Sequence, residues 1–72
     1  MTLKEAIKAS IENHYCPFHQ GYGPWMRVSL RGILIHADPR VPWDGDGSNH
    51  FPVDIGMINN DDYDLYDPAK YD

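Results

Sequence analysis

One segment of this chain carries a sustained helical period, and the rest must be arranged around it. Leu3, Ile7, Ile11 and Tyr15 recur at i, i+4, i+8 and i+12, with Ala6 and Ser10 beside them, so a helix gathers them into one apolar stripe. Lys4, Lys8 and Glu12 point elsewhere. Thr2 and Glu5 have the spacing of a capping box, in which each side chain accepts from the other's neighbourhood of unpaired amides. Pro17 disfavours the helical region at Cys16, so the spacing predicts a helix that ends near there.

Beyond the helix the signals are short. "CPFHQGYGPW" reads as a loop by its Pro and Gly, with Phe18, Tyr22 and Trp25 supplying rings to pack over the core. "WMRVSL" alternates, with Met26, Val28 and Leu30 on one face and Arg27 and Ser29 on the other. After Gly32 the apolar parity flips to Ile33, Ile35 and Ala37. Such a flip fits a hairpin turn at Arg31–Gly32 or a bulge in one bent strand; the short arms favour the bulge. "DPRVPWDGDGSNH" is turn chemistry, and "FPVDIGMI" alternates again, with Phe51, Val53, Ile55 and Met57 on one face of an expected strand. With no second helical crossover, the strands are expected to pair antiparallel. The expected fold is α+β: one N-terminal amphipathic helix packed on an antiparallel sheet of two to four strands. Residues 1–58 form the single domain, and residues 59–72 an acidic, Tyr-rich tail, either docked on the fold or ordered by a partner.

With 72 residues the chain lies near the lower limit for folding without staples, although two Trp, two Phe and five Tyr supply large buried groups. Association with a second copy or a partner would add stability. Cys16 is the only cysteine, which excludes an intramolecular disulfide and favours a reducing cytosol. "MTLKEAIKAS" lacks the apolar run of a signal peptide, and no stretch approaches the roughly twenty apolar residues of a membrane span. A soluble, cytoplasmic protein is expected. Its net charge of −5 is unevenly placed: five basic and three acidic side chains in residues 1–40 sum to +2, whereas one basic and eight acidic side chains in residues 41–72 sum to −7. That asymmetry disfavours direct nucleic-acid binding by the C-terminal half and favours a basic partner.

The candidate chemical sites are thin. His14, Cys16 and His19, with His36 or His50 as a fourth donor, are zinc-ligand types, but there is no second cysteine and no repeated ligand pair. Their simpler reading places His14 near the last carbonyls of the helix and Cys16 in the core as a small hydrophobe. A Cys–His nucleophile is disfavoured as well, because a helix C-terminus opposes a thiolate. Asp44, Asp46 and Ser48 imitate the start of a calcium loop, yet Asn49 stands where such a loop needs Gly and Ile55 where it needs Glu, and no helix is expected to follow. Arg27, Arg31 and Arg40 make a weak basic patch for base stacking. No catalytic residue, no metal and no cofactor is expected.

What remains is "NNDDYDLYDPAKYD". Five Asp against one Lys give this tail −4. Extended, it spans about 46 Å, or about one charge per 11 Å, against one per 3.4 Å on a DNA strand. To approach that density it needs Asp44, Asp46 and Asp54 beside it. Tyr63, Leu65 and Tyr66 are of the kinds that anchor interfaces or dock on the fold. The expected partner-binding residues are Asp44, Asp46, Asp54, Asp61, Asp62, Tyr63, Asp64, Tyr66 and Asp67.

In size, acidity and lack of enzyme motifs the chain resembles the phage-encoded inhibitors of bacterial defence, anti-CRISPR proteins among them. The resemblance is one of general character over the whole chain and carries no residue role across. It implies a non-enzymatic binding protein in a bacterial cytoplasm, in a stoichiometric complex with the basic, nucleic-acid-binding surface of a protein assembly. The alternative is a self-associating structural or regulatory accessory protein, a homodimer through its sheet or aromatic loop.

Overall fold

A computed structural model of the chain describes residues 1–21, 23–41 and 50–71. In chain order the elements are helix α1 (Leu3–Glu12), strands β1 (Phe18–Gln20), β2 (Met26–Val28) and β3 (Leu34–His36), helix α2 (Ile55–Asn59), strand β4 (Tyr63–Leu65) and helix α3 (Pro68–Tyr71). The strands form one antiparallel sheet in the order β3-β2-β1-β4, and α1 lies against it. This is the α+β fold that the patterning predicts. No helix among the described residues is long and apolar enough to cross a membrane.

The start of α1 follows from its capping box. The Glu5 amide donates to the Thr2 hydroxyl at 3.2 Å, and the Thr2 amide donates to the Glu5 carboxylate at 3.0 Å. Its end comes earlier than Pro17 alone requires. Asn13 caps it, with its amide donating to the Ala9 and Ser10 carbonyls and its side-chain nitrogen to Ala9 at 2.7 Å. His14 and Tyr15 then both adopt a left-handed φ of 58°, a strain of about 1–2 kcal/mol per residue. Together they reverse the chain into β1. The capping role expected of His14 therefore belongs to Asn13.

The buried face of α1 is also rotated from the stripe in the sequence. Leu3, Ala6 and Ser10 are buried, whereas Ile7 is half-buried and Ile11 is 43% exposed. At 3.6 residues per turn, the two sets of residues point about 85° apart. The small side chains of Ala6 and Ser10 are wholly buried and let the helix lie close on the sheet.

Three local expectations are corrected. Residues 18–20 form an interior strand rather than a loop; with Pro17 before it and Gly21 after it, β1 is too short to display a period of two. Residues 26–36 form a hairpin, not a bulged strand, in the register Met26↔His36, Arg27↔Ile35, Val28↔Leu34. The Gly32 amide donates to the Ser29 carbonyl at 2.9 Å and the Ser29 amide to the Ile33 carbonyl at 2.8 Å, with Gly32 at φ 83°. This is a three-residue loop closed by a left-handed glycine. It explains the flip of parity: Met26 and Val28 face α1, while Ile35 shares the opposite face with Arg27, and both faces are covered.

The third correction concerns residues 55–59, which are helical rather than extended. The Asp54 carboxylate accepts from the Met57 amide at 2.9 Å, and this single N-cap outweighs the alternation of Phe51, Val53, Ile55 and Met57. Of those four, Met57 alone is buried. A helix thus does follow Asp44, Asp46 and Ser48 in the chain, although those three residues lie outside the described ones.

The C-terminal segment is built into the sheet. Strand β4 pairs with β1 through Phe18↔Leu65, His19↔Asp64 and Gln20↔Tyr63. The pairing is extended by bonds from the Gly21 amide to the Asp62 carbonyl at 3.1 Å and from the Tyr66 amide to the Pro17 carbonyl at 2.8 Å. Leu3, Phe18, Met26, Val28, Met57 and Tyr63 meet in one core between the sheet, α1 and α2.

Replacing Gly32 with Ala is expected to lower stability by about 1 kcal/mol, read as a urea midpoint, with the fold unchanged. A new Cβ meets no atom within 4 Å, so the loss reports the left-handed backbone alone. An unaltered midpoint would reject the hairpin turn.

Candidate functional site

Strand parity gathers polar and aromatic chemistry on the sheet face opposite α1. With Phe18 and Leu65 in the core, His19 and Asp64, their neighbours in β1 and β4, point the other way. Trp25 enters just before β2, and Tyr66 just after β4. Helix α3 then folds back over them, because "DPAKY" carries its own start signal. The Asp67 carboxylate accepts from the Ala69 amide at 3.0 Å, its carbonyl accepts from Lys70 and Tyr71, and Pro68 occupies the first helical position.

The rings interlock. His19 and Trp25 have centroids 4.1 Å apart at 35°, and Trp25 meets Tyr66 and Tyr71 edge-on at 5.3 and 5.1 Å. Tyr66 and Tyr71 are near parallel at 6.3 Å. Perpendicular contacts set the negative face of one ring against the positive edge of another, which holds the cluster in one arrangement.

A hydrogen-bond chain ties α3 to this face. The Tyr71 hydroxyl donates to Asp64 Oδ2 at 2.7 Å, and Lys70 Nζ donates to the same oxygen at 2.6 Å. Since the one Tyr71 proton goes to Asp64, His19 Nε2, 3.0 Å from that hydroxyl, is the donor to it. Burial pushes the His19 imidazole below its ordinary range, with Asp64 pulling it back up. Bonds from Lys70 and Tyr71 hold Asp64 below the usual carboxylate range, and the same carboxylate raises both Lys70 and Tyr71. Two open grooves flank Tyr71. One, of about 400 Å³, is lined by Trp25, Pro39, Arg40, Tyr66 and Tyr71. The other, of about 340 Å³, is lined by His19, Gly21, Asp62, Asp64, Lys70 and Tyr71.

The expected contact residues divide by role. Asp62, Asp64, Tyr66 and Asp67 surround this aromatic face. Asp61 is exposed, close to the Met1 nitrogen at 3.5 Å. Asp54 lies at the start of α2, on the other side of the molecule's core. Tyr63 is 3% exposed, its hydroxyl donating to the Met57 carbonyl at 3.0 Å, so it is a core residue and not a contact. Asp44 and Asp46 lie outside the described residues. His19, Trp25, Lys70 and Tyr71 also belong to the site, although none is among the expected partner-binding residues. The Asp-Pro start of α3 was the available signal for the last two; His19 and Trp25 become visible only once β1 is known to be a strand.

The donors of the zinc and thiol readings are dispersed. His14 is exposed at the end of α1, His36 stacks on Phe51 with centroids 4.5 Å apart, and His50 bridges Ile35. Among the described residues, no three His, Cys, Asp or Glu side chains gather as metal ligands. Burial pushes the Cys16 thiol up, with nearby Arg27 acting in the opposite direction, and the Ser10 hydroxyl donates to the Cys16 carbonyl. The chain matches no protein-family model, no curated protein and no solved structure.

The depressed His19 predicts an acid-sensitive fold. The folded chain resists a proton that the unfolded chain accepts near pH 6.5, so this stability is complete above that pH and declines as pH falls through it. Asp64, also depressed, adds its loss only below about pH 4. The urea midpoint of the wild type is expected to fall between pH 7.5 and 5.5 by more than that of His19→Gln. Equal pH slopes for the two proteins would rule His19 out.

Proposed function

We propose that this chain is a non-enzymatic binding protein whose outer sheet face occupies a basic, nucleic-acid-holding surface on another protein. The observation that carries the reading is the joining of exposed carboxylates to half-exposed aromatic rings on ordered elements. Tyr66, Tyr71 and Trp25 are the residue types that anchor interfaces, and their mutual packing with His19 reduces the entropy lost on contact. Lys70 and Arg40 are each paired within the chain, with Asp64 and Asp38. The exposed Asp62 and Asp67 therefore set the local sign, a sum of −2, which steers Lys- and Arg-rich surfaces toward these rings.

Two charges do not amount to a phosphate ladder. The chain competes with nucleic acid by placing a few carboxylates beside aromatic anchors rather than by matching its charge density. In the class it resembles, this is a phage-encoded, anti-CRISPR-type inhibitor that acts stoichiometrically in the bacterial cytoplasm on a nucleic-acid-handling defence complex. It has no part in chemical turnover.

The test is the variant Asp62→Asn, Asp67→Asn, in which Asn keeps the cap of α3. Tagged wild type in nuclease-treated bacterial lysate is expected to retain a nucleic-acid-binding complex at low salt and release it at high salt. The variant, with an unchanged circular dichroism spectrum, should bind that complex about tenfold more weakly, a loss of about 1.4 kcal/mol. Equal retention of the two proteins, or retention insensitive to salt, would reject this face as the contact.

A further inference from the structure

The molecule has a second surface suited to contact, on the α1 side. The apolar stripe of α1 is wider than the strip covered by the sheet: Leu3 is buried, Ile7 half-buried and Ile11 43% exposed. Helix α2 continues the exposed part. It buries Met57 alone and leaves Ile55 and Ile58 76% and 57% exposed, Ile55 being the most exposed large apolar side chain among the described residues. Between the helices runs an open groove of about 430 Å³ lined by Thr2, Leu3, Lys4, Ile7 and Ile58. An exposed apolar groove of this kind marks a contact surface.

Its borders have opposite signs. Lys4 and Lys8 follow Ile7 and Ile11 around α1, while Asp54 begins α2 and Asp61 follows its end. An acidic partner would set its charges against Asp54 and Asp61, and a basic one against Lys4 and Lys8. A second copy, turned through 180°, avoids both conflicts, because each basic border then meets an acidic one.

We propose that the α1–α2 groove is the two-fold contact between two copies of this chain. Ile58 of each copy lies on Ile7 and Ile11 of the other, and Lys4 and Lys8 of each face Asp54 and Asp61 of the other. A specific contact needs about 500 Å² from each copy. That is about a tenth of the 4863 Å² surface. The rings and Asp62 and Asp67 on the opposite sheet face stay clear, so this inference does not depend on the proposed function.

Sedimentation equilibrium decides it. The wild-type mass is expected to rise from 8.3 kDa toward twice that value with increasing concentration. Ile58→Asp and Ile55→Asp replace exposed side chains, should fold as the wild type does, and should each weaken the dimer about 100-fold. Lys4→Asp with Lys8→Asp should weaken it about tenfold, and adding Asp61→Lys should restore much of the loss. A wild type that stays at 8.3 kDa up to about 1 mM overturns the proposal. So does a dimer that tolerates both isoleucine changes, or one that only Trp25→Ala disrupts. Retention of the lysate partner by monomeric Ile58→Asp would separate this contact from the other face.

Discussion

The burial of Phe18 is the contact on which the other elements depend. Its side chain is wholly enclosed, paired in register with Met26 on one side and Leu65 on the other, and its ring meets that of Tyr63 edge-on at 6.3 Å. One side chain thus joins three strands, and α1 closes over the core they form. Because strand residues alternate in direction, fixing Phe18 inward fixes His19 outward. The position of Trp25, Asp64 and Tyr71 around that histidine then follows. The candidate binding face is in this sense the reverse side of the core contact. A slip of one residue in β1 would exchange the two.

The acidic residues show how composition and structure assign different meanings to one charge. Taken together, the aspartates of the C-terminal half suggest an extended anionic surface. In place, Asp54 and Asp67 each begin a helix, Asp64 holds Lys70 and Tyr71, and Asp61 and Asp62 face outward. Capping leaves a carboxylate charged and accessible on its outer side, so Asp67 serves the fold and the surface at once. The tyrosines divide as well. Tyr63 enters the core, where its hydroxyl satisfies the Met57 carbonyl, whereas Tyr66 and Tyr71 pack on the opposite face and remain half-exposed.

A chain this short cannot enclose all its apolar side chains. Besides Leu30, Ile33, Val41 and Val53, which are exposed elsewhere, those near the surface form two groups. On the α1 side they gather in the groove with α2; on the other side they are aromatic and gather around Tyr71. The first surface has balanced charge at its borders and the second an excess of carboxylate. The proposed partners are a copy of the same chain for the first and a basic surface for the second, with the sheet between them.

Several features were legible in the sequence because they depend on neighbours a few residues apart. The capping box at Thr2 and Glu5, the amphipathic character of α1, the α+β class and the acidity of the C-terminal half are all of this kind. The end of α1 was only partly so, since Asn13 rather than Pro17 stops it. Tertiary structure alone decided the remainder. Strand β1 is too short to show a period, and only the partners on both sides make it a strand. The parity flip at Gly32 fits a bulge as well as a hairpin until Val28 is seen opposite Leu34. The exposed half of the α1 stripe emerged only when the sheet had taken Leu3, Ala6 and Ser10. Likewise His19 and Tyr71, 52 positions apart, become neighbours through β4 and α3, and no local pattern encodes a contact that the chain must close a long loop to make.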